Sequence, residues 1–254
     1  MKKVVILLIG ILFVSCNKYP PTEVLVLPTL HGAHEVNSNY TYHDLEKIIG
    51  AYNADIIGVE IRPIDMKMNS DSLDVFYPIE MIRVRDSFPE KVTGIDYYND
   101  ASEDAPVSRK IFTDSTTQMG KMKMLIGAMQ KDSIFLSAYK AAGISAIQEE
   151  QKRIALNYSA AEFLKGEYDS LAGRQYRLED SLYKNTPYES YAIFNNNRDY
   201  HITKNTLELI KANPSKRVLI LVGANHRNRL VDSLKTYDAK EIKLVTDLGF
   251  LKAK

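Results

Sequence analysis

Two apolar runs without alternation, Val24-Leu25-Val26-Leu27 and Val218-Leu219-Ile220-Leu221-Val222, stand near opposite ends of this chain of 254 residues. A strand half-exposed to water alternates apolar and polar residues. These runs do not, so each is expected to be covered on both faces, as in a parallel sheet flanked by helices. Parallel strands need long crossover connections, and the two runs therefore predict an α/β fold whose largely parallel central sheet is built from N- and C-terminal pieces. Each run passes into a short segment that closes on histidine: Pro28-Thr29-Leu30-His31 in one case, Gly223-Ala224-Asn225-His226 in the other. Ligands of open α/β sheets bind at the carboxyl ends of the strands. Two of the chain's five histidines are thus candidates for one crevice.

Between these ends the pattern changes twice. Residues 42–52 place Leu45, Ile48, Ile49 and Tyr52 on one helical face, and residues 54–60 read as a second strand ending in Glu60. A shorter third strand is expected over 91–96. No proline falls between Pro106 and Pro187, and the segment is rich in Met, Ala, Leu, Lys and Glu, which predicts a helical insertion or lid over about 104–186. Its methionine-rich stretch, 119–129, reads as lid core. Beyond it come a helix over 199–211, ended by Asn213-Pro214-Ser215, then the second His-ending strand, a helix over 228–237 and a final strand over 241–246. The sum is a single α/β domain over 23–254.

The first residues carry a different message. Met1-Lys2-Lys3 precedes a short, almost wholly apolar stretch that ends at Phe13-Val14-Ser15-Cys16, and Cys16 is the one cysteine of the chain. A basic start, a core too short to span a bilayer comfortably and a small residue before cysteine predict a lipoprotein signal over 1–16, with Cys16 lipidated and 17–22 as a tether. An N-terminal anchor helix with an incidental cysteine is the alternative. Both put the domain outside the cytoplasm, in a bacterial cell envelope, held to a membrane. Loss of Lys2 and Lys3 with the signal turns the formal charge from +1 to −1, and no basic run with interleaved aromatics exists, so nucleic acid is not an expected partner. A lone cysteine also excludes disulfide staples and thiolate metal sites within the domain.

The candidate chemistry lies at the strand ends. His31 and His226 sit where an imidazole is rigidly based and open to ligands, and His34 competes with His31 for that role. Glu60 ends an apolar strand, where a carboxylate must be paired, protonated or bound to a cation. Two imidazoles and a carboxylate make a hydrolytic metal site for Mn, Co, Zn or Fe, in which the cation activates water; the other reading pairs Glu60 with Arg62 or another arginine as a structural ion pair. Arg198, in a polar Asn195-Asn196-Asn197 loop expected to open a helix, can hold a carboxylate or stabilise an oxyanion. Asp199 then reads as a first-turn acid. Asp96, at the end of the third strand, is a further rim candidate, or a turn cap. His43 and His201 read as surface residues.

Taken together, Gly223-Ala224-Asn225-His226, Val59-Glu60 and Arg198 resemble the TraB/PrgY and Tiki group, related in plan to erythromycin esterases and ChaN-like proteins. That group has two Gly-x-x-His motifs, an intervening glutamate and an arginine before the second histidine. Pro28-Thr29-Leu30-His31 departs from the first motif by its proline, with Gly32-Ala33-His34 following at once. The resemblance covers the two α/β ends of the chain. It implies a metal-assisted hydrolase of peptide or ester bonds, acting on a small-molecule or peptide substrate through His31, Glu60, His226 and Arg198, or a haem-type binding protein without turnover. A purely interacting lipoprotein, with the tyrosine-rich helical region as a partner surface, is a third reading.

Overall fold

A computed structural model describes residues 20–99, 103–237 and 241–252. The expected signal segment, Cys16 and the first half of the expected tether lie outside them. Five parallel strands form one sheet in the order β3-β2-β4-β1-β5: β1 (Thr22–Thr29), β2 (Ile56–Val59), β3 (Val92–Gly94), β4 (Arg217–Gly223) and β5 (Ile242–Leu244). The expected α/β architecture is what the chain adopts. β4, from the far end of the sequence, inserts between β1 and β2, with Val24 beside Val218 and Ile57 beside Leu219.

The absence of alternation has its cause in the two cores. Leu25, Leu27, Leu219 and Leu221 face one cluster with Leu45, Ile48 and Ile49. Val24, Val26, Val218, Ile220 and Val222 face the other, with Ile202, Leu230 and Leu234. Each such side chain, fully buried, stabilises the fold by roughly 1.5–3 kcal/mol. The strand β1 begins at Thr22, which is buried and bonded to Glu241 O at 2.8 Å, so ordered structure takes in the last residue of the expected tether. Pro28 is tolerated because β5 pairs with Thr22–Val24, leaving the later part of β1 unpaired on that side.

Helix α1 (Tyr42–Tyr52) starts at a Thr41/Asp44 capping box and stops at Asn53 in the left-handed conformation. Two short helices, α2 (Ser70–Leu73) and α3 (Ile79–Ser87), follow β2. The expected helical middle comprises α4 (Gln118–Met129), α5 (Ser133–Ala141), α6 (Ile144–Asn157), α7 (Ala160–Leu164) and α8 (Glu167–Tyr183). Its methionines divide: Met122 and Met129 are buried, whereas Met124 is exposed.

The expected strands over 54–60, 91–96 and 241–246 are each shorter, and two helix starts differ more. The helix predicted to open at Asp199 is the second half of α9 (Glu189–Lys211), so Asn195-Asn196-Asn197 is helix, not loop. Weak helix formers are held there by tertiary contacts, among them Asn196 Nδ2 donating to Asp180 Oδ1 at 2.8 Å. The final long helix, α10 (Ala224–Thr236), begins directly after Gly223 with no intervening turn. Among the described residues no helix is long and apolar enough to cross a membrane.

Candidate active site

The carboxyl ends of four adjacent strands deliver one residue each. Reading across the sheet, Asp96 follows β3, Glu60 follows β2, His226 stands in the first turn of α10 after β4, and His31 follows β1. The place where β4 separates β1 from β2 is a topological switch point, where such sheets open a crevice.

Glu60 is the centre of the group. Its Oε1 accepts from Arg198 Nη2 at 2.8 Å and lies 3.4 Å from His226 Nε2, while its Oε2 accepts from the Gly223 N–H at 2.7 Å. That N–H caps the start of α10, where the helix dipole favours a negative charge. Burial alone would raise the Glu60 pKa, but the charges of His226 and Arg198 outweigh it and hold the carboxyl well below its usual range.

Arg198 ties the strands together. Its Nε and Nη2 donate to the two oxygens of Asp96, both at 2.8 Å, and Nη2 also reaches Glu60. Asp96 is fully buried. This fork-to-carboxylate geometry is specific to arginine. Burial disfavours the guanidinium charge, yet Asp96 and Glu60 overcome that and raise its pKa well above normal. Glu60 therefore pairs with Arg198. Of the arginines that the structural ion-pair reading allowed, Arg198 is the partner, while Arg62 binds Asp65 through Nε at 2.7 Å and Nη2 at 3.0 Å.

Each histidine is gripped at Nδ1 by a buried carboxylate. His226 Nδ1 lies 2.5 Å from Asp199 Oδ1, and His31 Nδ1 lies 2.7 Å from Glu80 Oε1. Such a partner fixes the ring and leaves Nε2 to do the work. His31 Nε2 and Glu60 Oε2 lie 2.8 and 3.3 Å from one point, the place a Cβ would take on Gly223. His31 holds φ at +51°, a left-handed conformation unusual outside glycine and of the kind met at functional sites. For His226, burial opposes the charge, but Glu60 and the Asp199 bond prevail and raise the pKa to about 10. The same balance, led by burial against the Glu80 bond, raises His31.

His226 Nε2 also stands 3.3 Å from Arg198 Nη1. The imidazolium turns its Nε2–H toward Glu60, and the neutral ring accepts an Arg198 N–H at the same nitrogen. Both protonation states thus have a partner.

His34 is not part of this constellation. It is buried, its Nδ1 donates to Tyr40 O at 2.7 Å, and its Nε2 accepts from the Leu30 N–H at 2.9 Å. Burial lowers its pKa, and the ring serves as a neutral brace for the His31 turn. His43 is exposed as expected, whereas His201 is half-buried and stacks on Tyr97 at 3.7 Å.

Two residues went unrecognised in the sequence. Asp199, expected as a first-turn acid, lies inside α9, buried and one residue from Arg198, so it reaches His226 from the same helix that supplies the guanidinium. Glu80, in the first turn of α3, is bonded to both His31 and Thr29 Oγ1. Burial would raise its pKa, but the His31 bond leads a set of contacts that holds it low.

As donors, two imidazoles and a carboxylate suit a borderline divalent cation. Here both Glu60 oxygens are engaged, one by a guanidinium, and among the described residues no group of three or more His, Cys, Asp or Glu is arranged to hold a metal.

A cavity of about 510 Å³ opens beside His226, Arg198 and Asn225, roofed by α4, α5, α6, α8 and α9. The helical middle therefore lies over His226 and Arg198. No protein-family model matches this chain, and comparisons with curated proteins and with solved structures find no match.

Proposed function

We propose that this protein is a hydrolase of the TraB/Tiki-like kind, lipid-anchored through Cys16 and facing out of the cytoplasm, which opens a peptide or ester bond with water. One observation carries the reading: two imidazoles, each held at Nδ1 by a buried carboxylate, converge on Glu60 at the strand ends, where His226 and Arg198 also line a cavity. In this scheme neutral His31, held by Glu80, takes a proton from water at Nε2 as the water attacks a carbonyl. Arg198 and the His226 imidazolium stabilise the developing oxyanion. His226 then gives its Nε2 proton to the leaving group, and its neutral ring is received by Arg198. Glu60 keeps the two cations in place.

No step in this scheme passes through a metal. Metal analysis of the purified protein decides whether Mn, Co, Zn or Fe displaces Arg198 from Glu60. A panel of ester and peptide substrates tests the reaction, with turnover expected in the wild type and lost in His31→Ala and His226→Ala. Absence of turnover across the panel would sink the hydrolase. The tyrosine-lined cavity with His226 in its wall favours a second reading, ligand binding without turnover; a Soret band on adding haem, abolished in His226→Ala, would select it.

A further inference from the structure

The cavity carries a second charged feature, remote from the strand ends. Along α8, Gln175, Tyr176, Glu179 and Tyr183 line it from one side, and Tyr139 of α5 and Tyr191 of α9 close the others. Glu179 is buried. Its Oε1 accepts from Tyr139 Oη and from Gln175 Nε2, each at 2.8 Å. Its Oε2 accepts no hydrogen bond among the described residues, and no ion pair to Glu179 exists among them. Arg229, whose charge acts on Glu179, is ion-paired instead with Asp199 at 3.2 Å and Asp180 at 3.9 Å. A buried carboxylate in a tyrosine-lined cavity, with no ion pair of its own and only the more distant charge of Arg229 acting on it, gains from a cation brought into the cavity.

We propose that this part of the cavity is an ammonium subsite, in which Glu179 Oε2 receives a protonated amine of the substrate within a wall of tyrosine rings. Aromatic faces attract cations through their quadrupole, and the attraction grows as water is excluded. The guanidinium of Arg229, 4.2 Å over the Tyr176 ring, already uses one of these rings in that way. Burial pushes the Glu179 carboxyl up, as expected of an acid whose counter-cation is brought by the ligand. At the opposite end, Tyr176 Oη donates to Asn225 O at 3.2 Å, and Asn225 precedes His226. One helical turn of α8, about 5 Å, separates Tyr176 from Glu179. The cavity thus has a cationic end at Arg198 and His226 and an anionic end at Glu179, and the substrate class is an ester or amide that also bears an amine. The position of the cleaved bond rests on the hydrolytic reading, while the amine site stands on Glu179.

Calorimetric titration of the full-length protein with benzylamine and with benzyl alcohol, which share shape but not charge, tests the subsite. Benzylamine is expected to bind at least tenfold more tightly than the alcohol, Glu179→Gln to remove the difference, and His226→Ala to keep it. Equal binding of amine and alcohol to the wild type, or a preference that survives Glu179→Gln, overturns the proposal. Should Glu179→Gln fail to fold, Tyr191→Leu replaces it: a threefold or greater loss of amine binding supports the aromatic wall, and unchanged binding refutes it. Retained amine preference with no turnover of any ester sinks the hydrolase and leaves the subsite. Turnover indifferent to an amine on the substrate does the reverse.

Discussion

His31 Nε2 stands 2.8 Å from the point where a side chain on Gly223 would begin. The first residue of the second histidine motif thus makes room for the histidine of the first, although the two are supplied by β1 and β4 from opposite ends of the chain. Gly223 has φ −54°, which any residue adopts, so its requirement is one of space.

Gly223→Ala is therefore expected to disturb the site more than the fold. Its Cβ would press on His31 Nε2 and, at 3.3 Å, on Glu60 Oε2. Overpacking of this kind costs about 1–3 kcal/mol. Turnover is expected to fall by about 100-fold, as for an ångström-scale misplacement of reacting groups, with the circular dichroism spectrum unchanged. Wild-type turnover in this variant would mean that His31 has no part in the chemistry.

The strands and Glu60 were legible because burial on both faces of a parallel sheet leaves its mark on every residue, and a carboxylate closing such a run stands out. Asp199 was hidden by its neighbours: three consecutive asparagines have low helix propensity, and contacts made far along the chain, such as Asn196 with Asp180, accompany them in α9. Glu80 was invisible for another reason. An acid two residues after Pro78 is an ordinary helix-start residue, and nothing local announces its bond to a histidine 49 positions away. His31 and His34 were indistinguishable because the choice depends on which ring nitrogens the fold consumes.

Removing the carboxylate behind His226 isolates what that partner contributes. In Asp199→Asn the ring loses a charged acceptor at 2.5 Å, so the imidazolium is less favoured and its orientation is less restrained. Turnover is expected to fall by about 10- to 100-fold, the usual effect of losing a supporting partner. The His226 titration followed by NMR should move down from about 10. An unmoved titration would show that Asp199 does not set the charge of this ring.

Arg198→Met should destabilise the protein by about 3–5 kcal/mol, since it strands buried Asp96 without its cation and leaves buried Glu60 to His226 alone. Adding Glu60→Gln and Asp96→Asn neutralises both and is expected to recover much of that loss in urea unfolding, without restoring turnover. Arg198→Lys should stay impaired, because an ammonium does not reproduce the paired bonds to Asp96. If Arg198→Met unfolds at the wild-type urea concentration, the network contributes nothing to stability.

The histidines also set the pH range of stability. The pKa of His226 rises on folding from 6.5 to about 10, so the folded state holds this proton more tightly. Its contribution is complete below pH 6.5 and is lost as pH climbs through about 10; His31, also raised, adds in the same sense. Glu60 is held below 4.5, and its contribution is complete above that pH and lost as pH falls through its folded value. His34 opposes the first two: lowered from 6.5, it is kept neutral by the fold, and acid below pH 6.5 destabilises it. The melting temperature should therefore peak near pH 6.5 and decline toward pH 10, and the difference between wild type and His226→Gln should shrink along that alkaline limb. A difference that stays constant from pH 6.5 to 10 would mean that His226 is not protonated in the folded site and does not serve as its acid.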